Sequence, residues 1–423
     1  MSHEALDAKR VCRQNERRFL RTKLDSDFCL WKKSGRVAVK LVREARANYF
    51  KRQLIESSDN PRGKWSLLIK LLHGGNVKNS LSVSCLTALS FSDFFVSKVL
   101  NIGVEISKKI VNILEPMVPP ISSSLHTSPM LLANLTPVTL LESSLLISSL
   151  TKSSPLDIIP VPILKSCKSV FSILLMNLAN ASFACGKFPR GFKMAQITPL
   201  IKKPSLDPSV LASYRPVSNL RTFGKLLERL VQSRIRPHLI SSPLFSMRQS
   251  AYRPKHSTET ACIDITDKLF MATDSSTPTL MVSLDLSAAF DCVVHLKLLT
   301  RLSQDFGLSG KALSWVQSYL SDRSQTVSWN GIKSNPVTLS AGVPQGSVLG
   351  PLFFTAYTSP IARLIDSYGV THHSYADDTT LILNFNKNLV PTTIMNDCTC
   401  ALSNWFMHIM DYFLIRLSLR LCG

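Results

Sequence analysis

No uninterrupted apolar run of roughly 18 residues occurs in this chain, so a membrane-spanning helix is not expected. The ten cysteines are scattered, and only Cys398 and Cys400 stand close together. None of their spacings matches a zinc knuckle or finger, and no signal peptide points to an oxidising compartment; reduced, mostly buried thiols are the expectation. Acidic residues are scarce too: 28 Asp and Glu stand against 49 Lys and Arg, a formal charge of +21. That balance favours a polyanionic partner over an acidic small molecule. The excess is uneven, since the first 79 residues hold 19 Lys and Arg against 8 acids. At 423 residues the chain can bury more than one core, and two or three domains are expected.

What the chain does have is a pair of carboxylates in an unusual place. Tyr375-Ala376-Asp377-Asp378 interrupts a stretch that is strand-like on both sides, and Asp-Asp at its middle suits a tight turn. Two carboxylates at a hairpin tip repel each other unless a cation sits between them, so the pattern asks for a metal. Upstream, Thr279-Leu280-Met281-Val282-Ser283-Leu284-Asp285-Leu286 reads as an apolar strand that ends by presenting an aspartate. Carboxylates converging from two strands could hold a pair of Mg²⁺ ions, which keep waters and take phosphates as further ligands. Between the two lies Ala341-Gly342-Val343-Pro344-Gln345-Gly346, whose Gly and Pro residues fix a turn and allow a flat substrate close to the backbone.

The order and spacing of these segments resemble the reverse transcriptases of non-long-terminal-repeat (LINE-type) retrotransposons. The acidic strand with its Phe290-Asp291 tail, the Pro-Gln-Gly turn and the Tyr-Ala-Asp-Asp hairpin are similar to that family's three palm signatures. Gln196 to Pro204, Tyr214-Arg215-Pro216-Val217-Ser218-Asn219-Leu220 and Gln249 to Ala261 resemble its fingers. The likeness runs from about Phe188 to about Trp405, roughly half the chain. It implies an α+β, right-hand polymerase architecture: fingers at 186–270 and a palm at 271–396 with a small antiparallel catalytic sheet. A basic helical segment at 1–79 would come first, then a Ser- and Pro-rich connector at 80–185 leading into the fingers, poorly ordered over 80 to about 155 with one or two helices there. Its end, Ser154-Pro155-Leu156-Asp157-Ile158-Ile159-Pro160, resembles the family's entry into the fingers.

The resemblance also implies roles. Asp285 and Asp377 would be the principal metal ligands, Asp378 a third acid, and Leu286 the donor of a backbone carbonyl, around two Mg²⁺ ions or Mn²⁺ in their place. Phe290 would lie under the sugar of the incoming nucleotide, where a ribose 2′-hydroxyl would clash with it. Gln345 and Gly346 would contact that nucleotide, Arg215 with Lys202 or Lys203 would meet its triphosphate, and Arg253 would touch the template backbone. The implied partners are an RNA template, a DNA primer and deoxynucleoside triphosphates, with no membrane, in a ribonucleoprotein of nucleus and cytoplasm. Oligomeric state is open, as is metal binding by Cys398 and Cys400.

Three departures from the family pattern stand out. Val294 replaces an Asp usual before His295, which would loosen a helix start. Ala251 replaces a Gly, which would strain a turn. After Trp405 the likeness stops, and residues 397–423 read as a divergent remnant. The expectation is therefore a chain lacking most of the thumb and any preceding endonuclease, impaired in polymerisation. Two alternatives stay open: a catalytically inactive remnant that only binds RNA, and another right-hand polymerase such as a group II intron maturase or telomerase. The Ser-Ala-Ala-Phe-Asp and His-Ser-Thr-Glu-Thr wording weighs against the latter.

Overall fold

The computed structural model describes residues 3–56, 86–112, 130–286, 289–385, 391–410 and 414–422, in two units at 1–82 and 83–423. In the first unit, α1 (His3–Thr22) and α2 (Asp25–Glu56) form a helical hairpin. Lys23 turns the corner in a left-handed conformation with φ 54°. Asp25 and Asp27 sit in the first turn of α2, where a negative charge meets the positive end of the helix dipole. Asp27, though buried, is paired with Arg18 at 3.0 Å and accepts from the Thr22 hydroxyl at 2.6 Å. Phe19, Phe28 and Trp31 pack against one another with ring centroids 5.1–6.0 Å apart. The basic helices expected at 1–79 are thus present over 3–56; residues 57–85 lie outside the described residues.

The second unit opens with α3 (Ala88–Asn112), α4 (Leu140–Ser148), α5 (Val161–Ser166) and α6 (Lys168–Cys185). Two of these, α3 and α4, lie within 80–155, the stretch expected to hold one or two helices. Phe91 and Phe95 of α3 are buried, and Phe91 meets Tyr214 at 4.9 Å and Trp329 at 4.8 Å. The aromatic residues supply enough apolar area to offset the entropy of ordering a Ser-rich stretch. α6 is the helix, among the described residues, long and apolar enough to cross a membrane by length and composition. Its Leu175, Ala179 and Phe183 belong to the main core, which explains the same composition.

Two sheets follow. The first contains β1 (Met194–Ile201) and β2 (Tyr214–Asn219), antiparallel with Leu200 opposite Arg215. It is completed by β4 (Arg323–Trp329), parallel to β1, with β5 (Ile332–Lys333) and β6 (Val337–Leu339) both paired to β4. Between β2 and the second sheet run α7 (Thr222–Ser241) and α8 (Thr258–Asp274). The second sheet is antiparallel throughout, in the order β7-β8-β3-β9. Its strands are β3 (Thr279–Leu286), β7 (Thr371–Tyr375), β8 (Asp378–Asn384) and β9 (Leu414–Cys422). The helices α9 (His295–Gln304), α10 (Gly310–Leu320), α11 (Gly350–Thr358), α12 (Ile361–Ser367) and α13 (Pro391–Met410) complete the unit.

The second sheet shows why these strands form. Along β3, Leu280, Val282, Leu284 and Leu286 are buried and Asp285 is exposed, the period-2 alternation of a strand with one face on a core. Leu280 pairs with Leu383 and Val282 with Leu381, so the apolar residues of both strands share that face. The described residues of 397–423, expected to be a divergent remnant, are the end of α13 and β9, and β9 pairs along the whole of β3. The thiols differ from expectation. Of the eight cysteines whose side chains are described, all free, only Cys292 and Cys398 are buried.

Candidate active site

Asp285 lies near the exposed end of β3, and Ala376-Asp377 form a two-residue turn between Tyr375 and Asp378, which pair at the ends of β7 and β8. Leu284 pairs with Thr379, so the same register carried one residue further sets Asp285 opposite Asp378. Three acids from strands 90 residues apart in sequence thus meet at one end of the sheet. Ala376 takes the left-handed conformation with φ 59°, as tight hairpin turns demand at their first position. For a residue with a Cβ that costs about 1–2 kcal/mol.

The acids perturb one another. Burial pushes the half-buried Asp377 carboxyl above the usual range, and the charges of Asp378 and Asp285 push it further. Asp378 is raised by burial and then by Asp285. Among the described residues, no three His, Cys, Asp or Glu side chains form a ready-made metal group. The donor chemistry nonetheless fits a hard divalent cation: all three donors are carboxylates, and their mutual repulsion is what a cation would relieve. Leu286 is buried beside them, and the pairing of β3 with β9 shifts register between Asp285 and Leu286.

The Pro-Gln-Gly turn is bolted down on three sides. Ser218 of β2 donates its N–H to the Gln345 carbonyl at 2.8 Å. Gly346, at φ 117°, passes so close that a Cβ there would stand 2.8 Å from the Ser218 carbonyl oxygen. Gly342 and Val343 donate to the carbonyls of Val293 and Phe290, each at 2.8 Å. On the third side, fully buried Glu228 of α7 accepts from the N–H groups of Val348 at 2.7 Å and Leu349 at 3.1 Å, and from the Tyr319 hydroxyl at 3.2 Å. Burial raises the Glu228 carboxyl, while buried Arg323 nearby pulls it back.

Behind the turn is a cavity of about 100 Å³ lined by Phe95, Val99, Ile197, Asp291 and Gln345 among others. The Gln345 side-chain oxygen is buried with no hydrogen-bond partner among the described residues. Burial pushes the Asp291 carboxyl up to about 6, against an opposing pull from Lys98. Phe290 is half-buried, its ring stacked on Phe354 at 5.1 Å.

The cations divide. Lys202 and Lys203 at the end of β1 and Arg215 on β2 are all exposed. Lys202 donates to the Ala212 carbonyl at 2.9 Å, and its ammonium feels the Asp285 carboxylate. Arg253 is occupied within its own loop, donating to the Met247 carbonyl at 2.8 Å with its guanidinium 5.8 Å from the Phe245 ring. The family departures also resolve. Val294 begins α9 without any side-chain cap, as expected. The strain expected at Ala251 is absent there and falls on the next residue, Tyr252, at φ 61°.

Several residues that shape the site carried no role in the sequence. Asp157, quoted within Ser154 to Pro160, accepts from Thr222 N–H at 2.8 Å and so caps α7 from a distant loop. Gln249 grips Ala376, 127 residues away, at the turn itself. An Asp before Ile or a Gln before Ser gives no sign of such distant partners.

Residues 201–411 match the family model described as reverse transcriptase (RNA-dependent DNA polymerase). The probable RNA-directed DNA polymerase from transposon BS of Drosophila melanogaster is 26% identical over 91% of this chain and 43% of its own length. The RNA-directed DNA polymerase from mobile element jockey of the same organism is 30% identical over 55% of this chain and 25% of its own. The chain thus spans less than half the length of these curated relatives. An apo telomerase of Candida tropicalis, truncated from its C-terminal domain, aligns over 64% of this chain and 58% of its own at 14% identity, with a TM-score of 0.40.

Proposed function

The chain carries a reverse transcriptase domain of the non-LTR retrotransposon kind, and from that premise we propose that it copies RNA into DNA by two-metal nucleotidyl transfer. The observation that supports this most is the meeting of Asp285 with the Asp377-Asp378 turn on neighbouring strands, where burial raises both acids of the turn, Asp285 raises both further, and Asp378 adds to the rise of Asp377. In this reading Asp285, Asp377 and Asp378 hold the divalent ions, with the Leu286 carbonyl as a further donor. When bound, the ions would lower the pKa of an attacking 3′-hydroxyl and offset charge on the leaving pyrophosphate.

The chain's own residues do the rest. Arg215, Lys202 and Lys203 project from the β1–β2 hairpin as exposed cations suited to a triphosphate, Arg215 as a fork and the lysines as point charges. Phe290, stiffened by its stack on Phe354, bars a 2′-hydroxyl. Gln345, in a turn fixed to β2 and to the loop after β3, meets the incoming nucleotide with Gly346. In the terms of the hand-shaped architecture, the first sheet with α7 and α8 acts as fingers and the second sheet as palm.

The test is template-dependent primer extension by the full chain with Mg²⁺. Wild type should incorporate deoxynucleotides, and Asp377→Asn should abolish incorporation while its melting curve stays cooperative. Undiminished synthesis by that variant would remove the proposed role of the acids. One observation favours a second reading, an RNA-binding protein without catalysis: the strongly basic helical hairpin, α1 and α2. RNA binding with no incorporation under any divalent ion would select it.

A further inference from the structure

We infer that Gln249 is a positioning residue of the site: its side-chain amide holds both peptide groups of Ala376 and so sets where Asp377 and Asp378 stand. The inference rests on reading those acids as the metal site. Gln249 is buried in the loop between α7 and α8. Its Oε1 accepts from the Ala376 N–H at 3.0 Å and from the Ala251 N–H at 3.0 Å, and its Nε2 donates to the Ala376 carbonyl at 3.2 Å. The amide orientation follows from the partners, because a flipped group would face an NH₂ against two N–H donors.

Only an amide carries an acceptor and a donor on one rigid plane, so only Gln or Asn can answer an N–H and a C=O of the same residue. With both its N–H and C=O held, Ala376 is fixed in a left-handed conformation that an alanine does not favour. The acids follow directly in the chain.

The backbone around Gln249 is anchored on both sides, which makes the clamp stiff. Ser374 of β7 donates its N–H to the Arg248 carbonyl at 2.9 Å and Ser250 donates its N–H to the Ser374 carbonyl at 3.0 Å. The loop thus runs beside β7 in a parallel bridge, with Gln249 opposite Ser374. The Ser250 hydroxyl meets His373 Nε2 at 3.0 Å, and His373 Nδ1 meets the Asp264 carboxylate of α8 at 2.6 Å. Arg248 pairs with Asp366 of α12. Although Ser250, His373 and Asp264 have the connectivity of a hydrolytic triad, the serine is 3% exposed and serves as an anchor.

The test uses the full chain with two variants. Gln249→Met removes every side-chain bond; Gln249→Glu keeps the acceptor and loses the donor. Amide hydrogen exchange should show the Ala376 N–H protected in wild type and in Gln249→Glu, and exposed in Gln249→Met. The Ser374 amide, held by the Arg248 carbonyl, should stay protected in all three, which separates loss of the clamp from unfolding. Mn²⁺ titration followed by electron paramagnetic resonance should show roughly tenfold weaker binding in Gln249→Met. Extension should fall in both variants through kcat, on the order of a hundredfold for a displacement of about 1 Å, with KM for the nucleotide little changed. Fast exchange at Ala376 in wild type, or unchanged Mn²⁺ affinity in Gln249→Met with Ser374 still protected, overturns the inference. If wild type never extends a primer yet the exchange and Mn²⁺ results hold, the polymerase reading fails and the clamp stands. If wild type takes up no Mn²⁺, the metal-site reading fails and exchange at Ala376 alone decides the clamp.

Discussion

Asp291 shows how a single residue can oppose the fold that houses it. Its carboxyl lines a largely apolar cavity and is pushed by burial from an ordinary carboxylate value up to about 6. A folded-state pKa raised in this way means the neutral form is the one the structure tolerates. Its contribution to stability is complete below about pH 3.8 and is lost as pH rises through about 6. Asparagine mimics the neutral form. Asp291→Asn should therefore be more stable than wild type at pH 7.5, by about 1–3 kcal/mol, and the advantage should shrink as pH falls from 6 toward 4. Urea unfolding at the two ends of that range measures it; an equal advantage at both would show that the carboxyl's charge is not the cause. Asp377 and Asp378 are raised for the same first reason, burial, but both also feel Asp285, and Asp377 feels Asp378.

At the level of elements, the start of α9 is the clearest weak point. The loop before it carries the Phe290 and Val293 carbonyls that receive the Pro-Gln-Gly turn, and His295 Nε2 lies 2.8 Å from the Gly342 carbonyl. Yet Val294 at the N-cap offers no side-chain acceptor to the N–H groups of the first turn. Val294→Asp should supply one and stabilise the protein by about 0.5–2 kcal/mol, read as a shift in the urea midpoint at unchanged slope. Destabilisation would mean that the apolar contacts of Val294 outweigh the cap. By contrast, α7 has no cap from its own N-cap residue, Arg221, and borrows one from Asp157. The two helices answer the same need by different means, and only one of the answers is local.

On the scale of the whole molecule, charge is the property with the longest reach. Much of the net +21 lies in the first 79 residues, and the described part of that stretch is a helical hairpin. Binding to RNA should therefore weaken log-linearly with salt as counterions are released from phosphates. Deleting residues 1–79 should lower both the affinity and the slope of that line. A deletion that weakens binding but leaves the slope untouched would show that these cations do not meet phosphates.

The sequence by itself determined the alternation that buries Leu280, Val282, Leu284 and Leu286 and exposes Asp285, and the turn that carries Asp377 and Asp378. Both follow from local rules, a period of two and the chemistry of tight turns. It also located the basic helices, because composition and helix propensity act over neighbouring residues. What it could not determine are the interactions closed by distant parts of the chain. Gln249 acquires its partner at Ala376, Glu228 at Val348 and Leu349, and Asp157 at Thr222, each across 65 residues or more. The same limit hid the packing of α3, whose aromatic residues look like scattered apolar content until Tyr214 and Trp329 stand beside them. Strand-pairing partners are non-local as well, so the place of β9 along β3 was decided by tertiary structure alone. A hydrogen bond or a ring contact needs both partners in place, and for these residues only the folded chain supplies the second one.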